Sequence, residues 1–202
     1  MTAAGAPLTV RRELARKTLH LFWALVPVAY AMGAPRRLLI GVLLVVSACA
    51  VVMEIARARS ERVRLVFDRA TGLLLREHEH HQWSGATWLL LSFLVVVLLF
   101  ELPIAVAAMW AVAVGDASAA IVGRTIGRHR IGRSRKSVEG SVACAIMSAA
   151  GALLLADLSV ASSIIAGLSA AIAEWPARPL DDNMRIGMGV GIGILLSRMV
   201  FS

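Results

Sequence analysis

Residues 104–127 read IAVAAMWAVAVGDASAAIVGRTIG, an apolar run that holds one carboxylate and then turns polar. As a helix, the apolar part, Ile104–Val122, would cross most of a bilayer. Asp116 lies inside it, where an ionised side chain costs several kcal/mol unless it meets a partner, water or a cation. This stretch therefore predicts a membrane helix that carries a functional carboxylate.

The rest of the chain has the same character. Of its 202 residues, 58% are hydrophobic, and the mean hydropathy of +0.76 is too high for one soluble domain. The apolar runs are continuous and rich in Leu, Ala and Val, which is typical of membrane helices and not of barrel strands. We therefore predict an all-α, polytopic membrane protein with one catalytic domain over residues 1–202. About seven spans are expected, near Leu19–Met32, Leu38–Met53, Ala86–Phe100, Ile104–Val122, Val138–Ala156, Val160–Ala173 and Ile186–Val200.

The basic residues are unevenly distributed between these spans. Of the 21 Lys and Arg residues, 18 lie on one side of the predicted topology and 3 on the other. The positive-inside rule then puts the N-terminus and the loops at about residues 54–84, 123–137 and 174–185 in the cytoplasm. We expect a multi-pass protein of a prokaryotic plasma membrane. Topology and attraction to anionic lipid explain the net charge of +8 without a nucleic-acid partner.

The polar clusters lie on that same side, whereas the opposite loops, near Glu101 and Asp157, carry almost nothing reactive. A transporter needs polar groups along a path that crosses the membrane. Polar residues on one side instead favour an enzyme that acts at the cytoplasmic face on a cytosolic reactant. A non-enzymatic transporter or scaffold bundle is the alternative outside the enzymes.

Small residues accompany the carboxylate of the fourth predicted span. On an ideal helix Asp116 shares one face with four small residues and so borders a groove. These four are Ala119, Ala120, Gly123 and Gly127. Helix packing is the alternative interpretation of the two glycines, because small residues four apart let helix backbones approach closely. Packing alone leaves Asp116 unexplained.

The polar segment that follows is rich in arginine and glycine. Residues 127–134, GRHRIGRS, nearly match a phosphate-binding loop, but Arg133 stands where that loop has Lys. Such a loop also follows a buried strand, and no strand is expected here. Cationic side chains, Lys136 among them, instead precede a helix predicted to begin near Ser137. The free N–H groups and positive dipole end of that helix would attract phosphates.

Carboxylates could complete a nucleotide site, because phosphoryl transfer uses Mg²⁺ held near the phosphates. The candidates are Asp116, Glu139, Glu174, Asp181 and Asp182. For Glu174 and for residues 181–183, a solvated loop with Asn and Pro turn chemistry is the alternative. The tract EHEHH at residues 77–81 resembles a zinc motif but is more typical of a solvated juxtamembrane segment.

Together these residues resemble the CTP-dependent lipid kinases, a family that comprises dolichol kinase, phytol kinase and yeast-type diacylglycerol kinase and is distantly related to phosphatidate cytidylyltransferase. The resemblance spans nearly the whole chain, and its specific part is the pair of segments 115–127 and 136–141. The remaining matches are Arg16, Lys17, His20, Glu54, Arg76, Glu79, residues 84–86, Glu174, Asp181, Asp182 and Asn183. The chain lacks the upstream spans of dolichol kinases, which favours the smaller phytol or polyprenol kinase-like members.

The resemblance implies transfer of the terminal phosphoryl group of CTP to a lipid alcohol of phytol, polyprenol, dolichol or diacylglycerol type, with Mg²⁺ or another divalent cation. It implies that Asp116, Lys136 and Glu139 are catalytic, with Asp116 binding the metal or orienting the lipid hydroxyl. The implied metal ligands are Asp116, Glu139, Asp181 and Asp182. The implied nucleotide-binding residues are Gly123, Arg124, Gly127, Lys136, Ser137 and Gly140. The alternative reaction is that of a cytidylyltransferase, which makes a CDP-activated lipid. The sequence indicates no oligomeric state.

Overall fold

The computed structural model describes residues 10–71, 82–131, 136–175 and 180–201. These residues form α-helices, with no strand beyond one isolated antiparallel bridge, and this confirms the all-α prediction for the described part of the chain. The helices are α1 (Val10–Phe22), α2 (Leu25–Ala31), α3 (Arg36–Arg59), α4 (Glu61–Thr71), α5 (Gly85–Leu99), α6 (Leu102–Trp110), α7 (Asp116–Thr125), α8 (Val138–Leu154), α9 (Val160–Glu174) and α10 (Asp182–Phe201).

The centre of the bundle is one rod made of α6, a π-helical turn (Ala111–Gly115) and α7. Of the most apolar stretch of this rod, 78% is buried, because α1, α2, α8 and α10 all pack against it. Half of its 24 residues are Ala or Val, and their small size lets several helices approach one axis. Asp116 is therefore carried by the most enclosed element of the described chain.

The π turn lies directly before Asp116. The Asp116 N–H donates to the Ala111 carbonyl, five residues back, so the helix is locally wider than an α-helix. Such turns change the direction of the side chains that follow and are frequent at functional sites. The predicted helix face that Asp116 shares with four small residues is also shorter than expected. Thr125 is the last residue of α7, so Gly127 lies beyond the helix.

The first expected span, Leu19–Met32, is not one helix. The chain turns at Trp23 and Ala24, between α1 and α2, with tight i to i−3 hydrogen bonds. Pro27 explains the break, because it has no N–H to donate to the Trp23 carbonyl and its ring clashes with that carbonyl in a continuous helix. The expected loop at residues 54–84 also contains helix, namely the end of α3 and all of α4.

Two described helices, Arg36–Arg59 and Leu102–Thr125, are each 24 residues long and apolar enough to cross a membrane. They differ in environment, because only 17% of the most apolar stretch of the first is buried, against 78% of the second. Three further apolar helices, α5, α8 and α9, have 15 to 17 residues. The count of seven spans and the orientation of the N-terminus remain predictions.

Candidate active site

Asp116 is buried against α1 at the first position of α7. Lys17 donates to Asp116 Oδ2 in an ion pair whose two side chains are 2% and 5% exposed. His20 lies one helical turn after Lys17, and its Nε2 is 3.7 Å from the same oxygen. Two basic side chains three residues apart on α1 therefore face one carboxylate. The partner that Asp116 needs in an apolar environment is Lys17.

Asn183 connects His20 to α5 and α10. Its Oδ1 lies 3.1 Å from His20 Nε2, while its amide nitrogen donates to Asp181 Oδ1 at 2.8 Å and to the Gly85 carbonyl at 3.1 Å. Because the nitrogen already has two acceptors, Oδ1 must accept from His20, which places the proton of a neutral ring on Nε2. Asn183 thus fixes the orientation of His20 beside Asp116.

Lys136 contacts carboxylates of α9 and α10 close to Asp116. The Lys136 Nζ lies 3.4 Å from Glu174 Oε1 and 3.9 Å from Asp182 Oδ2, and it donates to the Glu174 carbonyl. The charges of Glu174 and Asp182 are close enough to that of Asp116 to interact with it. We name these groups the charged cluster, which consists of Lys17, His20, Asp116, Lys136, Glu174, Asp181, Asp182 and Asn183.

Glu174 is the carboxylate of the charged cluster with an unsatisfied oxygen. It is 6% exposed, and its Oε2 has no hydrogen-bond partner within the described part of the chain. Burial raises the pKa of Glu174; Lys136 opposes this increase, and the negative charges of Asp116 and Asp182 add to it. A buried carboxylate oxygen without a donor has the chemistry of a cation ligand.

These carboxylates allow a test of whether the residues fit a divalent cation. Among the described residues, no group of three or more His, Cys, Asp or Glu side chains is arranged to hold a metal on its own. Mg²⁺ in nucleotide sites needs less, because it keeps waters and takes one or two carboxylates together with substrate phosphates. Glu174 with its unpartnered oxygen, and Asp116 and Asp182 near it, fit that smaller requirement.

The segment between α7 and α8 holds Lys136 in place. Its ends pair as a short hairpin: the Ile131 N–H donates to the Lys136 carbonyl at 3.0 Å, and the Val138 N–H donates to the His129 carbonyl at 2.9 Å. Residues 132–135 lie outside the described part. The hairpin, and not the helix, therefore sets the backbone position of Lys136.

Glu139 also belongs to this hairpin and not to the charged cluster. Its carboxylate accepts from the Arg128 N–H at 3.0 Å, from the His129 N–H at 3.2 Å and from His129 Nδ1 at 2.8 Å. The resemblance implies that Glu139 binds metal and is catalytic, and the contacts instead show it closing the loop. Its expected role stays a prediction that these contacts do not favour.

The prediction that α8 begins near Ser137 is confirmed. The helix starts at Val138, and Ser137 Oγ accepts from the Gly140 N–H at 3.1 Å. With the Val138 N–H bonded to the His129 carbonyl and the Gly140 N–H to Ser137 Oγ, protein atoms occupy two of the first three N–H groups of α8. Phosphate binding by these groups is therefore not supported, and the lysine side chains are the stronger candidates.

Two of the expected nucleotide-binding glycines mark the closest approach of α7 to α8. A Cβ added to Gly140 would lie 2.7 Å from the Ala119 carbonyl oxygen and 3.3 Å from Gly123 Cα. The packing interpretation of Gly123 therefore matches its contacts, and Gly127 packs close to Ser137. A role of these glycines in nucleotide binding stays a prediction.

The resemblance also includes Arg16, Arg124, Arg76 and Glu79. Arg124 is half-buried in the last turn of α7, and Arg16 precedes Lys17 on α1. Arg76 and Glu79 lie outside the described residues. For all four the expected role remains a prediction.

Glu54 forms a separate buried network that joins α3 to α5. Its Oε1 accepts from the Ser84 N–H and Ser84 Oγ, both at 2.8 Å, and from Thr87 Oγ1 at 2.9 Å. Its Oε2 accepts from the buried Arg57, which also donates to the Gln82 carbonyl. Ser84 caps α5, so Glu54 fixes the helix start at Gly85 that Asn183 contacts.

Sequence reasoning missed two residues of these networks. From the sequence, Arg57 is counted only among the basic residues that set the membrane orientation. Its position three residues after Glu54 on a helix nevertheless signals an ion pair. Ser92 donates to the Asn183 carbonyl at 3.0 Å from inside an apolar run. No local pattern distinguishes Ser92 from a serine that has no role in the site, so the sequence offers no signal for it.

The comparisons with known proteins give one partial similarity. The chain is 29% identical over 97 residues to a protein named CTP-dependent diacylglycerol kinase 1 from Eremothecium gossypii. The matched region covers 47% of this chain and 30% of that protein, so the chain corresponds to less than a third of the relative's length. No family model matches the chain. No solved structure matches it either.

Proposed function

We propose that this protein is a CTP-dependent lipid kinase, which transfers the terminal phosphoryl group of CTP to a lipid alcohol at a membrane face. The observation that carries the proposal is the charged cluster, where Lys17 and Lys136 meet carboxylates of three other helices, two of them buried and that of Asp182 half-buried. The partial similarity to a CTP-dependent diacylglycerol kinase supports the same reaction class.

The chemistry of the cluster suits phosphoryl transfer. Little covalent work falls to the protein in this reaction, so catalysis is mostly positioning and charge stabilisation. Lys136, which the hairpin holds near Glu174 and Asp182, would neutralise charge on the transferring phosphoryl group, and Arg124 would add to the binding of the nucleotide phosphates. Lys17 keeps Asp116 ionised in a buried place. His20 and Asn183 hold that arrangement in one orientation.

A divalent cation would be held by Asp116, Glu174 and Asp182, with Asp181 behind them bonded to Asn183. When bound, Mg²⁺ supplies neutralisation of the negative charge that builds up on the phosphates. Without such a cation the carboxylates would repel a nucleotide. Removal of divalent cations is therefore expected to abolish the transfer.

The outer surface of the molecule suits a membrane, which is where a lipid acceptor is found. Helix α3 is apolar and mostly exposed, with Leu38, Leu44 and Val52 each more than half exposed. A surface of this kind is costly in water and favourable in lipid. We infer a multi-pass protein of a prokaryotic plasma membrane with its site on the cytoplasmic side. We propose a polyprenol or phytol as the acceptor, and diacylglycerol, the lipid in the relative's name, is the alternative.

The experiment that tests the proposal uses purified protein, Mg²⁺ and CTP that carries label on either the α or the γ phosphate. Phytol, a polyprenol and diacylglycerol are supplied as separate acceptors, and phosphatidate is supplied as the lipid phosphate that the alternative cytidylyltransferase reaction requires. We expect the γ label in a lipid phosphate, with CDP as the second product. The α label in the lipid together with pyrophosphate would make the protein a cytidylyltransferase. No labelled lipid with any acceptor would contradict both reactions.

A further inference from the structure

A cavity of about 160 Å³ lies between α1, α4 and α5, beside the charged cluster. Its polar lining residues are Arg16, His20, Thr71 and Ser84. Its apolar lining includes Trp23, Phe67 and Leu89 from the three surrounding segments. A cavity lined by both kinds of side chain fits a molecule with a polar head and an apolar chain.

His20 joins this cavity to the charged cluster. Its Nε2 donates to Asn183 and lies 3.7 Å from Asp116 Oδ2. In the neutral ring the other nitrogen, Nδ1, is then an acceptor. A ligand hydroxyl in the cavity could donate to Nδ1 and would then be one side chain away from Asp116.

Part of the cavity lining is continuous with an apolar surface. Leu19 and Ala86 line the cavity and are themselves exposed. Beyond Leu19, Phe22 and Leu25 of the α1–α2 segment are 67% and 63% exposed. A hydrocarbon chain that leaves the cavity would therefore follow apolar side chains and would not enter a polar loop.

We propose that this cavity binds the hydroxyl end of a long-chain lipid alcohol, with the hydroxyl donating to His20 Nδ1 and the first carbons packed against Trp23 and Leu89. The identity of the alcohol as the acceptor of a phosphoryl group rests on the proposed function. Binding of the alcohol does not, because it needs neither nucleotide nor turnover.

The test is photo-crosslinking of the full chain in lipid vesicles without nucleotide. Two probes carry a diazirine within a few carbons of the hydroxyl: an isoprenoid alcohol and a diacylglycerol. Mass spectrometry should locate the label on α1 and α5, near Trp23 and Leu89. An excess of the unlabelled alcohol should remove the label, whereas its methyl ether, which has no hydroxyl donor, should compete at least tenfold less well. The probe that labels more identifies the class of alcohol.

The variant Ala86→Trp fills the cavity from an exposed position at the start of α5. We expect it to lower labelling at least tenfold. Ala48→Trp, at an exposed alanine of α3, is the matched control and should leave labelling within twofold of the unchanged protein. Label located elsewhere, or equal labelling of Ala86→Trp and the unchanged protein, would overturn the cavity as the binding site.

The outcomes also separate this proposal from the proposed function. Label in the cavity without formation of lipid phosphate from CTP would keep the binding site and reject the kinase. Formation of lipid phosphate with an unchanged KM for the alcohol in Ala86→Trp would keep the kinase and reject the cavity. If both hold, Ala86→Trp raises the KM for the alcohol at least tenfold and leaves the KM for CTP within twofold.

Discussion

Asp116 and Lys17 depend on each other, because each would be a buried charge without its partner. We predict that Asp116→Asn abolishes phosphoryl transfer and also destabilises the protein by about 3–5 kcal/mol, the usual effect of breaking a buried ion pair. Thermal unfolding in detergent and transfer of the γ label from CTP measure the two effects.

The double variant Asp116→Asn with Lys17→Met separates these effects. Removing both charges should recover much of the lost stability and none of the activity. Normal turnover of Asp116→Asn at saturating Mg²⁺ would make Asp116 a structural residue and contradict its catalytic assignment.

Lys136 is expected to act on the phosphates. We predict that Lys136→Ala lowers turnover by about 10² to 10³, which corresponds to about 2–4 kcal/mol of lost transition-state stabilisation. Arg128→Ala is the control, because it removes one charge of the same exposed hairpin and keeps the backbone N–H that bonds to Glu139. This control should change turnover less than threefold. Equal, small effects of both substitutions would mean that the basic residues between α7 and α8 serve only to orient the protein in the membrane.

Glu54 should matter for stability through its four donors. We predict that Glu54→Gln destabilises the protein by about 3–5 kcal/mol, because the buried ion pair with Arg57 would lose its negative charge. Glu61→Gln offers a matched control in the exposed pair of Glu61 with Arg64, at 3.5 Å, and should cost less than about 1 kcal/mol. Denaturant unfolding of both variants gives the comparison, and similar values for the two would show that the Glu54 network contributes little.

At the scale of elements, the crossing of α7 and α8 brings Gly140 against the Ala119 carbonyl. We predict that Gly140→Ala destabilises the protein by about 1–3 kcal/mol, as overpacking of a tight contact does. Gly41→Ala on the exposed α3 has no atom within 4 Å of the new Cβ and should be neutral or stabilising by up to about 1 kcal/mol. A Gly140→Ala variant as stable as Gly41→Ala would mean that the two helices can separate without cost.

Elements that are set by nearby residues could be predicted from the sequence, whereas elements that are set by packing between helices could not. The helix over Ile104–Val122 and the start of α8 after Ser137 are set by composition and by a capping residue, so both could be predicted. Pro27 is also visible in the sequence, but continuous hydropathy concealed the break that it causes. The π turn before Asp116 has no local signature, because packing on the surrounding helices sets it.

The residues of the candidate site could be predicted from the sequence, but which of them contact each other could not. The resemblance named Lys17 and His20, but no periodicity relates them to Asp116, which is 99 residues from Lys17 along the chain. The cluster forms only when α1 packs on α7, a tertiary contact that local patterns do not encode. For the same reason the sequence could not show that Glu139 turns towards its own loop.

At the scale of the whole molecule, the split of basic residues, 18 against 3, predicts the orientation in the membrane. We predict that Arg130→Cys, in a chain whose Cys49 and Cys144 are replaced by serine, is not modified by an impermeant thiol reagent applied to sealed cells. Asp157→Cys in the same background should be modified. The reverse pattern would invert the topology and place the charged cluster outside the cell.

The pairing of Lys17 with Asp116 also has a consequence for the order of events during synthesis. A ribosome that has made Lys17 must add 99 further residues before Asp116 exists, which takes roughly 5–20 s. During that interval Lys17 lacks this counter-ion, so we expect α1 to take its final position only after α7 has been made. The charged cluster is completed later still, because Lys136, Glu174 and Asn183 are all translated after α7.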